Sequence, residues 1–94
     1  MSTPDIHHDA AAGRFTADVD GHRCEADYQL RDGVMHLVHT GVPRALQGRG
    51  IAAALVDAAL AEARTQGWRV RPVCSYVRSY LRRHPEAHDL LETP

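Results

Sequence analysis

A mixed α/β (α+β) fold follows from three features of this 94-residue chain. Alternating apolar and polar segments joined at Asp-Gly pairs imply an antiparallel meander. A stripe of apolar residues at helical spacing comes next, and then an extended segment, Trp68 to Val73, reached by a crossover long enough to run parallel to the third strand. The length suits one two-layer domain, which buries roughly 60–65% of its unfolded surface.

Residues 1–13 are polar and alanine-rich, the composition of a flexible lead-in, and the domain is expected over 14–94. Regular structure begins at Arg14. Phe15 to Val19 alternates, Asp20-Gly21 is a hairpin signal, Cys24 to Leu30 alternates again, and Asp32-Gly33 marks a second turn before a third strand, Val34 to Thr40. That strand carries apolar side chains on both faces (Met35 and Leu37; Val34 and Val38), as a strand covered on both sides would. Pro43 ends it. The helix that follows runs from about Gly48 to Thr65, with Ile51, Ala52, Leu55, Val56, Ala59, Leu60 and Ala63 in one stripe and Gly67 as its C-terminal cap. Pro72 has no N–H, so part of the fourth strand is expected to lack a partner. Ser75 can cap a short helix from Tyr76 to His84, with Val77, Tyr80, Leu81 and His84 inward, and Pro85 opens a last turn or two ending near Leu91.

The net charge of −1 conceals a partition. Residues 1–32 hold seven acids and three arginines, residues 33–83 hold eight arginines and two acids (Asp57 and Glu62), and residues 84–94 hold three acids. The basic stretch contains the glycines Gly48 and Gly50. All eleven cations are Arg, the side chain suited to forked phosphate contacts, although a chain-wide preference for Arg and Ala codons would produce the same count. Neither pI nor aromatic content suits nucleic acid. No apolar run has the length to span a membrane, and the start lacks the basic and apolar regions of a signal peptide, so a cytoplasmic protein with reduced Cys24 and Cys74 is expected. The histidines give no converging metal site: His36 and His39 fall on opposite strand faces, His7 and His8 lie in the lead-in, and His84 and His88 are separated by Pro85. A monomer is the simpler expectation, with a dimer open to it through the edge strand near Phe15 to Val19.

Gln47-Gly48-Arg49-Gly50-Ile51-Ala52 joins a glycine pair to the first turn of the long helix, where free N–H groups attract an anion. The Walker loop is excluded for want of its Lys. Gly48, Gly50 and Ala53 match a dinucleotide fingerprint superficially, but Val70 to Val73 stands where that motif needs an acid. A third pattern, Gln/Arg-x-x-Gly-x-Gly/Ala, is satisfied by Gln47, Gly50 and Ala52. It resembles the signature of the GNAT superfamily of acetyl-CoA-dependent N-acetyltransferases. With His39 to Pro43 before the loop and Pro72 to Val77 after the helix, the chain looks like the minimal, YjdJ-type GNAT-like family of single-domain proteins, over roughly residues 14–91.

The resemblance implies a reduced GNAT fold: a three-stranded antiparallel meander, a parallel strand, a central helix after the Gln-x-x-Gly-x-Ala loop and a short C-terminal helix. Acetyl-CoA would lie where the third and fourth strands splay apart, its pantetheine along Thr40 and Val42 and its pyrophosphate on the N–H groups of Gln47, Gly48, Arg49, Gly50, Ile51 and Ala52. His39 borders the thioester in this picture and can be a general base, or a half-buried histidine bonded to backbone. Cys74 stands at a helix start, where a thiol acidifies; it matches the cysteine suspected as catalytic in the family, and can accept acetyl, line the thioester pocket or simply pack. Tyr76 or Tyr80 could protonate the departing thiolate, though core packing is the commoner fate of such tyrosines. Arg78, Arg82 and Arg83 could reach the outer phosphates or form a solvated face. Cys24 reads as core. The function implied is transfer of acetyl to an unidentified amine of a small molecule or protein; the alternative is a non-catalytic acyl-CoA-binding or sensor module, since the chain has no room for the elements that hold the acceptor in larger GNAT enzymes.

Overall fold

A computed structural model describes residues 4–92 of the chain; residues 1–3 of the expected lead-in and 93–94 of the expected domain lie outside the described residues. Two Asp-Gly turns organise the sheet. Asp20 and Asp32 take φ of 51°, and the glycines after them 78° and 76°, the backbone of type I′ turns whose twist matches the strands they join. They connect β2 (Arg14–Val19), β3 (His22–Arg31) and β4 (Val34–Gly41) in antiparallel order, with Val19 opposite His22 and Arg31 opposite Val34. β5 (Arg69–Pro72) joins β4 in parallel, Val34 beside Arg69 and Leu37 beside Pro72.

A further strand precedes these. β1 (His7–Asp9) pairs antiparallel with Arg14–Thr16 of β2, so the sheet has five strands in chain order. Regular structure thus starts before Arg14, and the free edge anticipated on β2 is occupied by β1 over Arg14 to Thr16. His8 holds β1 in place: its ring stacks on Phe15 at 4.2 Å and its Nε2 lies 2.6 Å from the Tyr28 hydroxyl. An aromatic pair of this kind contributes about 0.5–1.5 kcal/mol beyond its burial.

The long helix, α1 (Ile51–Gln66), starts later than its periodicity suggests because Gly48 and Gly50 are left-handed, with φ of 82° and 79°. Its stripe of Ile51, Leu55, Val56, Ala59, Leu60 and Ala63 is buried against Phe15, Ala17, Cys24, Ala26, Tyr28, Met35, Leu37 and Val70 of the sheet. Alanines on both surfaces let helix and sheet approach closely. α2 (Ser75–Arg82) buries Val77, Tyr80 and Leu81 in the same layer, and a 3₁₀ segment, Pro85–Leu90, adds Ala87 and Leu90 before Leu91 bridges to Val70. His84 is only half-buried.

All the buried sheet residues point the same way. The other face, with Val34, His36 and Val38 half-buried and Glu25 and Asp27 beside them, is covered by no element among the described residues. The expectation that Val34 to Thr40 is covered on both sides is therefore corrected: both helices pack on one side, and the second apolar row stays partly open.

Candidate functional site

The parting of β4 and β5 creates the site. β5 ends at Pro72, and the N–H groups of Val73 and Cys74 both donate to Leu37 O, at 3.0 and 2.9 Å, so the chain turns away at that step. Pro72 keeps its place in the register opposite Leu37; the unpaired backbone is on β4, whose last four residues run on without a strand on that side. Val38 adds a bulge: Tyr28 pairs with Leu37 but Asp27 with His39. Bulges re-aim side chains at such places.

A cavity of about 530 Å³ opens from this gap. Thr40, Gly41 and Val42 form one wall, Gln47, Gly48 and Gly50 to Ala53 the opposite one, and Leu46 and Tyr76 close the sides. Gln47 Nε2 donates to Val42 O at 3.2 Å, tying the loop to the end of β4. At the start of α1, Gly50 supplies no side-chain cap and the first turn has no acid. The first bond into the helix runs from Ala54 N–H to Gly50 O at 3.0 Å, so the N–H groups of Ile51, Ala52 and Ala53 come before the ladder begins. These N–H groups carry the positive end of the helix dipole at the cavity wall.

Cys74 occupies the N-cap position of α2, the place assigned above to Ser75. Its Sγ lies 3.7 Å from Thr40 Oγ1 across the gap. Burial pushes the thiol up, but the N–H of Val77, the Thr40 hydroxyl and the N–H groups of Tyr76 and Thr40 outweigh it and hold the thiol below its ordinary value. Tyr76 is the tyrosine at the cavity; burial raises its hydroxyl, with Arg83 pulling down and Asp57 pushing up.

Of the candidate residues, the cavity gathers Thr40, Val42, Gln47, Gly48, Gly50, Ile51 and Ala52, and does not gather Tyr80, Arg82, Arg49, His39 or Cys74, which meets it only through Thr40. Tyr80 is buried beneath α2, its hydroxyl donating to Asp57 and its ring stacked on His84 at 3.9 Å. Arg82 is exposed. Arg49 turns outward to Asp20, 2.9 Å away, pinning the loop to the β2–β3 turn. His39 projects from the open face, its Nε2 3.6 Å from Glu25 Oε2. Glu25, Asp27 and His39 bring their polar atoms within 4.8 Å of one another, a cluster the sequence reading did not assemble. Its signal was the pair of acids on the polar face of β3, but only the register with β4 puts them beside His39. Arg14, 2.8 Å from Asp27, already meets one carboxylate.

The family model described as GCN5-related N-acetyl-transferase matches residues 14–90. The chain belongs to the GCN5-related N-acetyltransferase family. A solution structure of a GCN5-like protein from Staphylococcus aureus superposes on this acetyltransferase with a TM-score of 0.76, at 24% identity, over 100% of this chain and 93% of the other. That likeness extends the shared fold to the whole sheet and both helices. The family and the fold make acyl transfer the function of this GCN5-related protein.

Proposed function

We propose that the chain is a cytoplasmic, monomeric N-acetyltransferase that takes acetyl from acetyl-CoA and passes it to an amine. The carrying observation is the continuity of one cavity from the bare N–H groups of α1 to the gap where Thr40 faces Cys74. The residues present suit CoA: left-handed Gly48 and Gly50 leave backbone exposed, with open space where a Cβ would stand, and the first turn offers donors and no acid. In this reading the N–H groups of Gly48 to Ala52 hold the pyrophosphate, that of Gln47 being taken by Arg44 O at 3.2 Å, and the free edge of β4 at Thr40 and Val42 pairs with pantetheine. Cys74 lines the thioester end as nucleophile or as pocket wall, with Tyr76 placed to return a proton to the departing sulfur.

Calorimetry with CoA and acetyl-CoA tests the cradle. Ala52→Glu sets a carboxylate among the first-turn N–H groups and is expected to weaken binding at least 100-fold with the melting temperature held; equal affinity in the variant removes the assignment. The cavity lining, which includes neither Cys74 nor His39, favours a second reading, an acyl-CoA-binding module without turnover. Mass spectrometry after incubation with acetyl-CoA, followed by thiol release against an amine panel, separates the two: tight binding with neither an acetyl mass on Cys74 nor thiol release supports the module.

A further inference from the structure

The bare N–H groups and the reactive side chains sit on different helices. α1 carries the N–H groups, and α2 carries Tyr76 at the cavity and Cys74 at its N-cap. With eight residues and no side-chain cap hydrogen bond at its start, α2 is too short to hold a position by its own hydrogen bonds. Val77 and Leu81 anchor it in the core. Apolar burial has no preferred direction, so it leaves the rotation and slide of α2 against α1 to be fixed by a directional contact.

Asp57 supplies one. Ala53 and Tyr76 both line the cavity, and one turn further along each helix Asp57 meets Tyr80, whose hydroxyl donates to the carboxylate. Among the described residues this is the one hydrogen bond or ion pair between α1 and α2. Tyr80 has little freedom to turn elsewhere: it is 4% exposed, its ring stacks on His84 at 3.9 Å, and its carbonyl accepts from His84 Nδ1 at 2.7 Å. Asp57 is exposed and makes no ion pair among the described residues, so its carboxylate is left to Tyr80. A carboxylate accepting from a hydroxyl makes a bond roughly twice as strong as a neutral acceptor does.

Resting on the transferase reading, we propose that Asp57 is a positioning residue: by holding Tyr80 it ties the helix that binds the cofactor to the helix that carries Tyr76 and Cys74, and so sets the Tyr76 phenol at the leaving sulfur. In that reaction the C–N bond forms and the C–S bond breaks. The phenol proton goes to the sulfur, and the proton shed by the nitrogen returns through water to the phenolate. Asp57 itself touches neither reacting atom.

NMR of the intact chain with isotope-labelled tyrosine, titrated with CoA, tests the link. CoA is expected to shift the Tyr76 ring signals and the amides of Gly48 to Ala53. In Asp57→Ala and in Tyr80→Phe the Tyr76 shift should fall at least twofold while CoA affinity by calorimetry changes less than twofold; Asp57→Asn, which keeps an acceptor oxygen, should restore it. Thiol release against the amine panel should lose at least tenfold in kcat in the first two variants, with KM for acetyl-CoA within twofold, and recover in the third. A Tyr76 shift equal to wild type in Asp57→Ala, or a loss of it that Asp57→Asn does not restore, would overturn the proposal, as would CoA shifting Gly48 to Ala53 but not Tyr76. Wild type without thiol release would instead overturn the transferase reading, and loss of the Tyr76 shift in Asp57→Ala would still support the link between the helices.

Discussion

Two helix starts border the cavity, α1 through Gly50 to Ala53 and α2 through Tyr76, and their N-cap residues differ in kind. α1 begins at a left-handed Gly50 with no side-chain cap, so its first N–H groups stay available to something outside the protein. α2 begins at Cys74, which likewise makes no side-chain cap hydrogen bond, but whose sulfur lies 3.7 Å from Thr40 Oγ1 and whose thiol Val77, Thr40 and Tyr76 hold below its ordinary value against the opposing effect of burial. In the proposed function the first end receives an anion brought by a ligand, and the second favours ionisation of the chain's own thiol. In that reading one helix dipole serves binding and the other reactivity.

The largest effect expected from this contrast is on ligand binding. Ala52→Glu should weaken CoA at least 100-fold by calorimetry, whereas Cys74→Ser should stay within about threefold; comparable losses in both would erase the distinction between the two ends. Next comes reactivity. Thr40→Val removes the hydroxyl beside Cys74, so the thiol pKa should rise and iodoacetamide alkylation at neutral pH should slow several-fold, with the midpoint of its pH profile moving up.

A smaller effect concerns stability. Because the folded Cys74 thiol ionises below the unfolded one, its contribution is fully present above the unfolded thiol's pKa of roughly 8.5 and is lost as pH falls through the folded value. Denaturation curves should therefore show wild type gaining on Cys74→Ser as pH rises from neutral toward 9, and parallel pH dependences would contradict the depressed thiol. Tyr80→Phe sharpens the contrast from outside the cavity: loss of the hydrogen bond to Asp57 should cost about 1 kcal/mol by thermal melting and leave CoA affinity unchanged. The smallest change belongs to Arg49→Ala, whose guanidinium is engaged with Asp20 at the surface. CoA affinity should move by no more than about twofold, and a tenfold loss would bring Arg49 back to the cofactor.

Local chemistry made much of this legible. Asp-Gly pairs announced both hairpins because the type I′ turn needs positive φ at two successive positions. The 3.6-residue stripe announced α1, and the glycine loop before it announced a helix start without a side-chain cap. β1 was not legible, since His7, His8 and Asp9 have no alternation and are held by His8 stacking on a residue of the next strand. Tyr76 and Tyr80 are also indistinguishable by spacing: both lie on one side of α2, and Asp57 of α1 takes one while the cavity takes the other.

By itself the sequence determined the meander, the central helix, the parallel return and the loop that places bare N–H groups at a helix start, because turn chemistry and periodicity act between neighbours in the chain. Only the tertiary structure decided that both helices share one face of the sheet, that Val38 bulges so that His39 meets Glu25 and Asp27 while Thr40 meets Cys74, and that Arg49 and Tyr80 point elsewhere. Those outcomes depend on register and packing between segments far apart in sequence, where a shift of one residue sends every side chain to the opposite face.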